Sequence, residues 1–392
     1  MFFKTLTFLR KQTVISAIIT INLLTMLPVG TVIMAPVNKI SFSATWTAPI
    51  NSLNRQNRPL SQKVYDFIKS FIFFIPNSLI EPLVRWCVLP SSSPFMAKRI
   101  RNDDLIFKQA VQNVNANAKS LHTTSELEIT TPDKIKLQGH FLKHKEHDTH
   151  PNARVIILFH GNGDFYQNLS YNWLPELLKE SDTPYSFLLF NPRGVGINRQ
   201  GTANTSNLLI DAESVYQMAT NKLNISEDRI DLYGHSLGGA QAANLKKLHP
   251  NTGGRLFLDR TFSSLDKMVS FIFRNSFYPI CNYAQKLVKQ YGWEFDNYKA
   301  LTHIQDKVHI FTHLQDDIIP TSCSLRKVVE NLNPHPSAIK THDFSYSGSI
   351  EQRPHMDPLT SCRKENGSEA QTKQLLLDCF NTQEAAAQTQ AI

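Results

Sequence analysis

The residues around Ser236 place a potential nucleophile between two glycines, in the run Gly234-His235-Ser236-Leu237-Gly238. A serine hydroxyl can attack a carbonyl carbon when a neighbouring base removes its proton. The apolar run Ile230–Tyr233 predicts a strand before the motif, and the small residues after it predict a helix. In such a sharp strand-to-helix turn the hydroxyl projects above the sheet, and a side chain at either glycine would collide with a neighbouring element. The sequence therefore predicts that Ser236 is a nucleophile.

A serine nucleophile needs an acid that orients its base, and two adjacent aspartates are candidates. The apolar run Val308–Thr312 predicts a strand, and Asp316 and Asp317 follow it in the frame Asp-Asp-Ile-Ile-Pro. A carboxylate on this loop would lie at the edge of the sheet where Ser236 also lies. We predict that Asp316 is the acid, because the frame places it at the strand exit and turns Asp317 to solvent. A helix-capping turn is the structural alternative for the pair.

The base is predicted from the loop beyond the last strand. Ala338–His342 is the final predicted strand, and His355 follows it within Pro354-His355-Met356-Asp357-Pro358. His355 is favoured over His342, which lies within the strand, and over His335, which precedes the strand. The order serine, acid, histidine along the chain is the one that this arrangement requires.

Two backbone N–H groups are predicted to stabilise a developing oxyanion. Leu237, the residue after the nucleophile, supplies one of them. The loop Phe159–Asp164, which contains His160-Gly161-Asn162-Gly163, follows another predicted strand, and its small residues allow the backbone to turn towards the site. Asn162 is the predicted second donor. Each such donor contributes about 3–4 kcal/mol to transition-state stabilisation.

Alternating strands and helices must hold these residues, and they predict a mostly parallel α/β sheet with helices on both faces. A hairpin precedes the parallel strands. The predicted strands are Leu127–Thr130, Ile135–Leu142, Val155–Phe159, Tyr185–Phe190, Ile230–Tyr233, Leu256–Leu258, Val308–Thr312 and Ala338–His342, with helices at Trp173–Lys179, Asn207–Asn221, Ala240–Leu248 and about Ser322–Asn331.

The alternation stops between Phe262 and Leu301, where ten aromatic residues lie. This stretch predicts helices inserted between two strands of the sheet. We interpret the insertion as a lid that lines an apolar, aromatic pocket. A helical insertion that only packs on the body is the alternative.

The N-terminal third is basic and apolar. Residues 1–120 contain 14 of the 41 Lys and Arg residues but 4 of the 33 Asp and Glu residues. Residues 1–40 contain an apolar stretch that is interpreted as a membrane anchor, a signal peptide or a buried helical hairpin. The segment Phe67–Leu89, which Pro76 and Pro82 are predicted to break, suits an interfacial amphipathic element or a helix packed on the body. The excess of basic residues favours an anionic membrane surface as partner over nucleic acid, with a solvated basic face as the alternative.

The chain is thus predicted to comprise an apolar segment (1–40), a linker and amphipathic region (41–119), the sheet domain with its lid (120–360, lid about 262–301) and a polar tail with a short helix (361–392). Its five cysteines form no CxxC pair and are predicted to be reduced packing residues. His140, His144, His147 and His150 cluster without a zinc spacing, so no metal or organic cofactor is expected.

Taken together, these motifs resemble the α/β-hydrolase superfamily over about residues 120–360. The resemblance rests on His160–Gly163, Asn191–Gly196, Gly234–Gly239, Asp316–Pro320 and the late His355. The stretches Asp259–Leu265 and Pro354–Pro358 look more narrowly like the CHLPS-type hydrolases of intracellular bacteria, which are similar to SidB-type effectors. This narrower resemblance implies a serine hydrolase of unspecified substrate that is delivered into a host cell by a C-terminal signal, whereas the expected membrane association rests on the basic, apolar N-terminal third. Asp164 is a departure, because related motifs often carry a small or neutral residue there.

The expected activity is hydrolysis of a carboxylic ester or thioester of a lipid or another hydrophobic acyl compound, through an acyl-enzyme on Ser236. Two alternatives stay open from the sequence. One is a non-catalytic binding or effector protein on the same scaffold, and the other is a peptidase of the same fold. Neither the substrate nor the oligomeric state follows from the sequence.

Overall fold

The computed structural model describes residues 77–168, 172–273, 278–330, 338–345, 353–364 and 368–381. The chain divides into two units, Met1–Asn57 and Arg58–Ile392, and the first lies wholly outside the described residues. The predicted segment 1–40 and its membrane interpretation therefore also lie outside them. Within the described ranges, no helix is both long enough and apolar enough to cross a bilayer.

The centre of the fold is one nine-stranded sheet with the strand order β1-β2-β4-β3-β5-β6-β7-β8-β9. Strands β3 to β8 are parallel, and the edge pairs β1–β2, β2–β4 and β8–β9 are antiparallel. The strands are β1 His122–Thr130, β2 Lys136–His144, β3 Arg154–Phe159, β4 Tyr185–Phe190, β5 Ile230–His235, β6 Leu256–Asp259, β7 Val308–His313, β8 Ile339–Ser345 and β9 Arg363–Lys364. The mostly parallel sheet is confirmed, and the first hairpin is longer than predicted.

Helices cover both faces of this sheet. They are α1 Asn77–Val88, α2 Ala97–Ala116, α3 Trp173–Leu178, α4 Thr205–Gln217, α5 Leu237–Leu248, α6 Leu265–Ile272, α7 Tyr278–Gln290, α8 Asn297–Leu301, α9 Leu325–Val329 and α10 Glu369–Asn381. A π-helical turn, Met218–Lys222, follows α4. The helix predicted at about Ser322–Asn331 is shorter in the structure, because residues 320–324 form a turn before α9.

Alternate side chains of the central strands enter two separate apolar layers. Val155 and Ile157 of β3 pack on one face with residues of α4 and α5, such as Val215 and Ala242. On the other face the strands pack against α3 and α10, and the contributors include Ile156, Leu158, Phe257, Leu174, Leu376 and Phe380. This alternation explains why the parallel strands are apolar throughout.

The C-terminal helix α10 belongs to the packed body, although it lies in the segment predicted as a polar tail. Its Leu376 and Phe380 are buried against the sheet. Arg255 fastens the end of the helix, because its Nη1 donates to the carbonyl oxygen of Phe380 (2.6 Å). The body therefore extends beyond residue 360.

The chain before the hairpin also packs on the body. Val88 and Leu89 share an apolar cluster with Leu237 of α5 and with Trp293 and Phe295 of the aromatic insertion. This contact favours the packed-helix interpretation for the described part of Phe67–Leu89; residues 67–76 lie outside the description. The prediction that Pro82 breaks the segment is wrong, because Pro82 lies inside α1. Pro82 lies in the second turn, where proline removes one backbone hydrogen bond, and α1 nevertheless continues to Val88.

The insertion between β6 and β7 is helical, as predicted, and consists of α6, α7 and α8. Its aromatic residues Phe262, Trp293 and Phe295 are buried in the cluster that contains Leu237. Residues 274–277, including Phe277, lie outside the description. The insertion thus contacts the helix that begins directly after Ser236.

Candidate active site

Ser236 lies in a strained turn between β5 and α5. Its backbone angles are φ 53° and ψ −118°, which side-chain-bearing residues seldom adopt. Its carbonyl oxygen accepts from Thr261 Oγ1 (2.7 Å), and its N–H donates to the carbonyl oxygen of Asp259 (2.9 Å). These bonds hold the turn against its strain.

The two glycines of the motif allow the close approach that this turn requires. A Cβ atom at Gly234 would lie 2.4 Å from the carbonyl oxygen of Gly238. A Cβ atom at Gly238 would lie 2.2 Å from the carbonyl oxygen of Phe159, at the end of β3. The start of α5 therefore packs directly on the loop after β3 (residues 160–164), which we call the β3 loop.

Ser236, His355 and Asp316 form one continuous chain of hydrogen-bonding groups. Ser236 Oγ lies 2.9 Å from His355 Nε2. His355 Nδ1 lies 2.9 and 3.1 Å from the two carboxylate oxygens of Asp316. All three residues are largely shielded from solvent. With Nδ1 protonated towards Asp316, Nε2 is free to accept the serine proton.

Asp316 is held as a carboxylate. Its Oδ1 also accepts backbone N–H bonds from Ile318 (2.9 Å) and Ile319 (2.8 Å). Burial acts to raise the pKa of Asp316, but the hydrogen bond and charge of His355 and these two N–H groups hold that pKa below its usual value. The acid is therefore ionised at neutral pH.

Asp317 is exposed, as predicted, but it also touches the site. Its Oδ1 accepts a hydrogen bond from the backbone N–H of His355 (3.3 Å). The two neighbouring aspartates thus contact different parts of the same histidine, one the ring and the other the main chain.

The β3 loop lies against the turn at Ser236, and both predicted N–H donors are available there. Among the described residues, the backbone N–H groups of Asn162 and Leu237 have no hydrogen-bond acceptor. The carbonyl oxygen of Asn162 accepts both the N–H (3.2 Å) and the Oγ–H (2.8 Å) of Ser91, which follows α1. Leu237 N–H also benefits from the positive end of the α5 dipole.

Asp164 does not extend towards open solvent from the β3 loop. The residue is buried, its N–H donates to the carbonyl oxygen of Gly161 (3.1 Å), and its Oδ1 accepts from Asn168 Nδ2 (2.7 Å). Asp164, which differs from the residue often found in related motifs, therefore makes hydrogen bonds to Gly161 and Asn168 inside the protein.

The described histidines among the other candidates make contacts elsewhere in the fold. His342 Nε2 lies 3.1 Å from His309 Nδ1, and His335 lies outside the described residues. The group His140, His144, His147 and His150 does not converge on one point. His140 packs on Phe107, and His147 Nδ1 lies 3.1 Å from Ser186 Oγ.

One group of potential metal ligands lies within the described residues, formed by His309, His342 and Cys379. Cys379 Sγ is 3.6 Å from His342 Nε2. The two imidazole rings are almost coplanar, at 7° with centroids 5.3 Å apart, which fits a nearly straight N–H···N hydrogen bond. This bond pairs one nitrogen of each ring.

The sequence did not indicate His235 and Ser91 as parts of the site. His235 was visible only as the residue before the serine, and nothing in the sequence connected Ser91 to a loop 71 residues away. His235 Nε2 is 2.9 Å from the carbonyl oxygen of His355. Burial lowers the pKa of His235 to about 3, so the ring is neutral and donates through Nε2.

Comparisons with known proteins agree with this architecture. A family model described as the alpha/beta hydrolase fold matches residues 154–310. Escherichia coli YfhR, an uncharacterized protein, is 29% identical over 144 residues, which are 36% of this chain and 49% of YfhR. The uncharacterized membrane protein YNL320W of Saccharomyces cerevisiae is 26% identical over 205 residues, 52% of this chain and 66% of that protein.

These matches span about half to two thirds of the length of the curated relatives. A solved alpha-beta hydrolase from Vibrio vulnificus is similar in structure, with a TM-score of 0.50 and 16% sequence identity. The match covers 68% of this chain and 89% of the Vibrio chain. The parallel sheet, the turn at Ser236 and the family model agree on one fold. The chain has the α/β-hydrolase fold.

Proposed function

We propose that the protein is a serine hydrolase that cleaves carboxylic esters or thioesters through an acyl-enzyme on Ser236. The observation that carries this proposal is the chain Ser236–His355–Asp316, with 2.9 Å at both of its shortest contacts. The available N–H groups of Asn162 and Leu237 beside it support the same chemistry.

In the first half-reaction, His355 Nε2 takes the hydroxyl proton as Ser236 Oγ attacks the acyl carbon. Asp316 stabilises the imidazolium that forms, and the N–H groups of Asn162 and Leu237 stabilise the oxyanion. The imidazolium then gives its proton to the departing alcohol or thiol, which leaves the acyl group on Ser236. In the second half-reaction, water takes the place of the alcohol, and His355 again moves the proton.

A hydrophobic acyl group is the proposed substrate class. The support is the apolar cluster beside Ser236, in which Leu237 of α5 meets Phe262, Trp293 and Phe295 of the insertion. We propose that the insertion acts as a lid and that the basic, apolar N-terminal third attaches the protein to a membrane surface. The narrower resemblance to CHLPS-type hydrolases and delivery into a host cell stay predictions.

A fluorophosphonate probe tests the nucleophile, because it reacts with activated serines. The full chain should be labelled, and Ser236→Ala should abolish the labelling. Ser263→Ala is the matched control, since Ser263 is also buried and its hydroxyl has no hydrogen-bond partner among the described residues. No labelling of the parent protein under any condition would favour a non-catalytic binding or effector protein.

Substrate class is tested separately with p-nitrophenyl esters of increasing acyl length, acyl thioesters, phospholipids and peptides. Longer acyl chains should be preferred. Cleavage of peptides without cleavage of esters would favour a peptidase. Pelleting with membranes that is lost on deletion of residues 1–40 would support attachment, and a protein that stays soluble in both forms would contradict it.

A further inference from the structure

Arg260 is a buried arginine at the carboxyl end of β6, next to the turn that carries Ser236. It is 4% exposed, and its φ of 44° is unfavourable for a residue with a side chain. Its Nε and Nη2 donate to the two carboxylate oxygens of Asp259 (2.7 and 2.9 Å). This pair fixes the guanidinium plane from one side.

The opposite side of the guanidinium holds the loop that carries His355. Arg260 Nη1 donates to the carbonyl oxygens of Pro354 (2.8 Å) and Asp357 (2.6 Å). These carbonyls lie on either side of His355 in the sequence. One planar group therefore fastens both flanks of the loop, and a lysine could not make the same divergent bonds.

Asp259 keeps the guanidinium in this orientation. The carboxylate is fully buried and also accepts from Tyr233 Oη (2.7 Å). Burial acts to raise the pKa of Asp259, but the charges of Arg260 and the bonds to it hold that pKa below its usual value. The pair is therefore charged, and a strained backbone persists at Arg260 because side-chain bonds over-determine it.

We propose that Arg260 is a positioning residue that keeps His355 within hydrogen-bond reach of Ser236. The inference rests on the proposed function, since it assigns a purpose to the placement of His355. A loop held by Arg260 cannot carry the imidazole away from Oγ. A displacement of about 1 Å in such a site can cost about 100-fold in rate.

Arg255 provides a matched comparison at the other end of the same strand. It is also buried, its Nη2 pairs with Asp231 (2.6 Å), and its Nη1 donates to main-chain carbonyls of Cys379 (3.4 Å) and Phe380 (2.6 Å). It fastens α10 instead of the His355 loop. Loss of either guanidinium removes similar bonds, but only one of them touches the site.

The test compares Arg260→Lys with Arg255→Lys in the full chain. Both variants should unfold at lower urea concentration than the parent. Only Arg260→Lys should lower kcat on a p-nitrophenyl ester, by about 10- to 100-fold, with KM changed less than about threefold. A kcat within twofold of the parent for Arg260→Lys, or an equal loss in Arg255→Lys, would overturn the proposal.

A measurement without turnover separates this inference from the proposed function. The far-downfield proton signal of the His355 Nδ1–H reports its hydrogen bond to Asp316 even in a protein that hydrolyses nothing. It should persist in Arg255→Lys and disappear in Arg260→Lys. If Arg260→Lys does not fold, Tyr233→Phe weakens the hold on Asp259 more gently and should lower kcat several-fold; an unchanged kcat and an unchanged signal would contradict the role.

Discussion

The ring of His235 donates through Nε2 to the carbonyl oxygen of His355, at 2.9 Å. The residue that precedes the proposed nucleophile thus holds the backbone of the proposed base. The two rings lie 4.8 Å apart, and both side chains are buried. The distance between Ser236 and His355 is consequently supported by a contact between the residue before Ser236 and the backbone of His355.

Replacement of His235 should slow the reaction without changing substrate binding. His235→Phe keeps the ring shape but leaves the carbonyl oxygen of His355 without its donor, so kcat should fall about 10-fold. His235→Gln retains a donor and should recover part of the loss. Equal kcat values for the parent and His235→Phe in steady-state assays would contradict this role.

The two aspartates after β7 should differ sharply in their importance. Asp316→Asn removes the charge that stabilises the imidazolium and alters the hydrogen bonding of Nδ1, so kcat should fall about 10³- to 10⁴-fold. Asp317→Asn only weakens a 3.3 Å bond to the backbone of His355 and should cost less than about 10-fold. Kinetics on one ester substrate decide this, and a greater loss in Asp317→Asn would reverse the assignment.

Ser91 should support the proposed oxyanion donor of the β3 loop, Asn162, from outside the sheet. Ser91→Ala removes the Oγ–H bond to the carbonyl oxygen of Asn162, so kcat should fall about 3- to 10-fold at constant KM. Ser92→Ala is the control, because the Ser92 hydroxyl donates to the carbonyl oxygen of Leu89 within the same turn (2.7 Å). Both variants should lose about 1 kcal/mol of unfolding free energy, and a lower kcat in both would mean that Ser91 has only a structural role.

Two glycines near the site should differ in how strongly an added methyl group destabilises the fold. Gly238→Ala places Cβ 2.2 Å from the carbonyl oxygen of Phe159 and should lower the free energy of unfolding by roughly 3 kcal/mol. Gly163→Ala meets no atom within 4 Å and should change it by less than about 0.5 kcal/mol. Urea unfolding measures both, and a stable Gly238→Ala protein would contradict the close approach of α5 to β3.

Acid should destabilise the fold at pH values well above those at which carboxylates take up protons. Burial lowers the pKa values of His160, His235 and His309 to about 3. In the unfolded chain histidine takes up its proton near pH 6.5. The unfolded state therefore binds more protons between pH 6.5 and 3, and stability falls as pH falls, by up to about 1.4 kcal/mol per pH unit for each group.

His309 is suited to testing this dependence because it lies away from Ser236. His309→Gln should reduce the number of protons taken up on unfolding by about one. Its unfolding free energy should therefore fall less between pH 7 and pH 5 than that of the parent. His303→Gln is the control, since the side chain of His303 is exposed in the folded protein. Identical slopes for the parent and His309→Gln in urea titrations would show that His309 is not neutral in the fold.

Much of the sheet could be predicted because a strand buried on both faces must be apolar throughout, as in Val155–Phe159 and Tyr185–Phe190. The position of Ser236 followed from local sequence, since glycines on both sides of a serine satisfy one sharp turn. Asp316 and His355 could be placed on their loops by counting strands. The strand and turn patterns are local, each contained in fewer than ten residues, and the assignment of Asp316 and His355 added only their order along the chain.

The remaining contacts depend on side chains that are distant in sequence. Arg260 reaches carbonyls 94 and 97 residues away, and Ser91 meets Asn162 across 71 residues. No local pattern encodes such partners. A short helix is predicted in the tail, but averaged polarity conceals its packing on the sheet, because Leu376 and Phe380 are spaced along one face among polar residues.

Ser236, Arg260 and Asp316 leave the ends of β5, β6 and β7, which are neighbours in the sheet. Neighbouring strands lie about 4.8 Å apart, because main-chain hydrogen bonds set that interval whatever the side chains are. The main-chain hydrogen bonds of the sheet therefore set the spacing of the loops that carry these three residues. The distances between these loops therefore depend on the sheet and not on the helices that cover its faces.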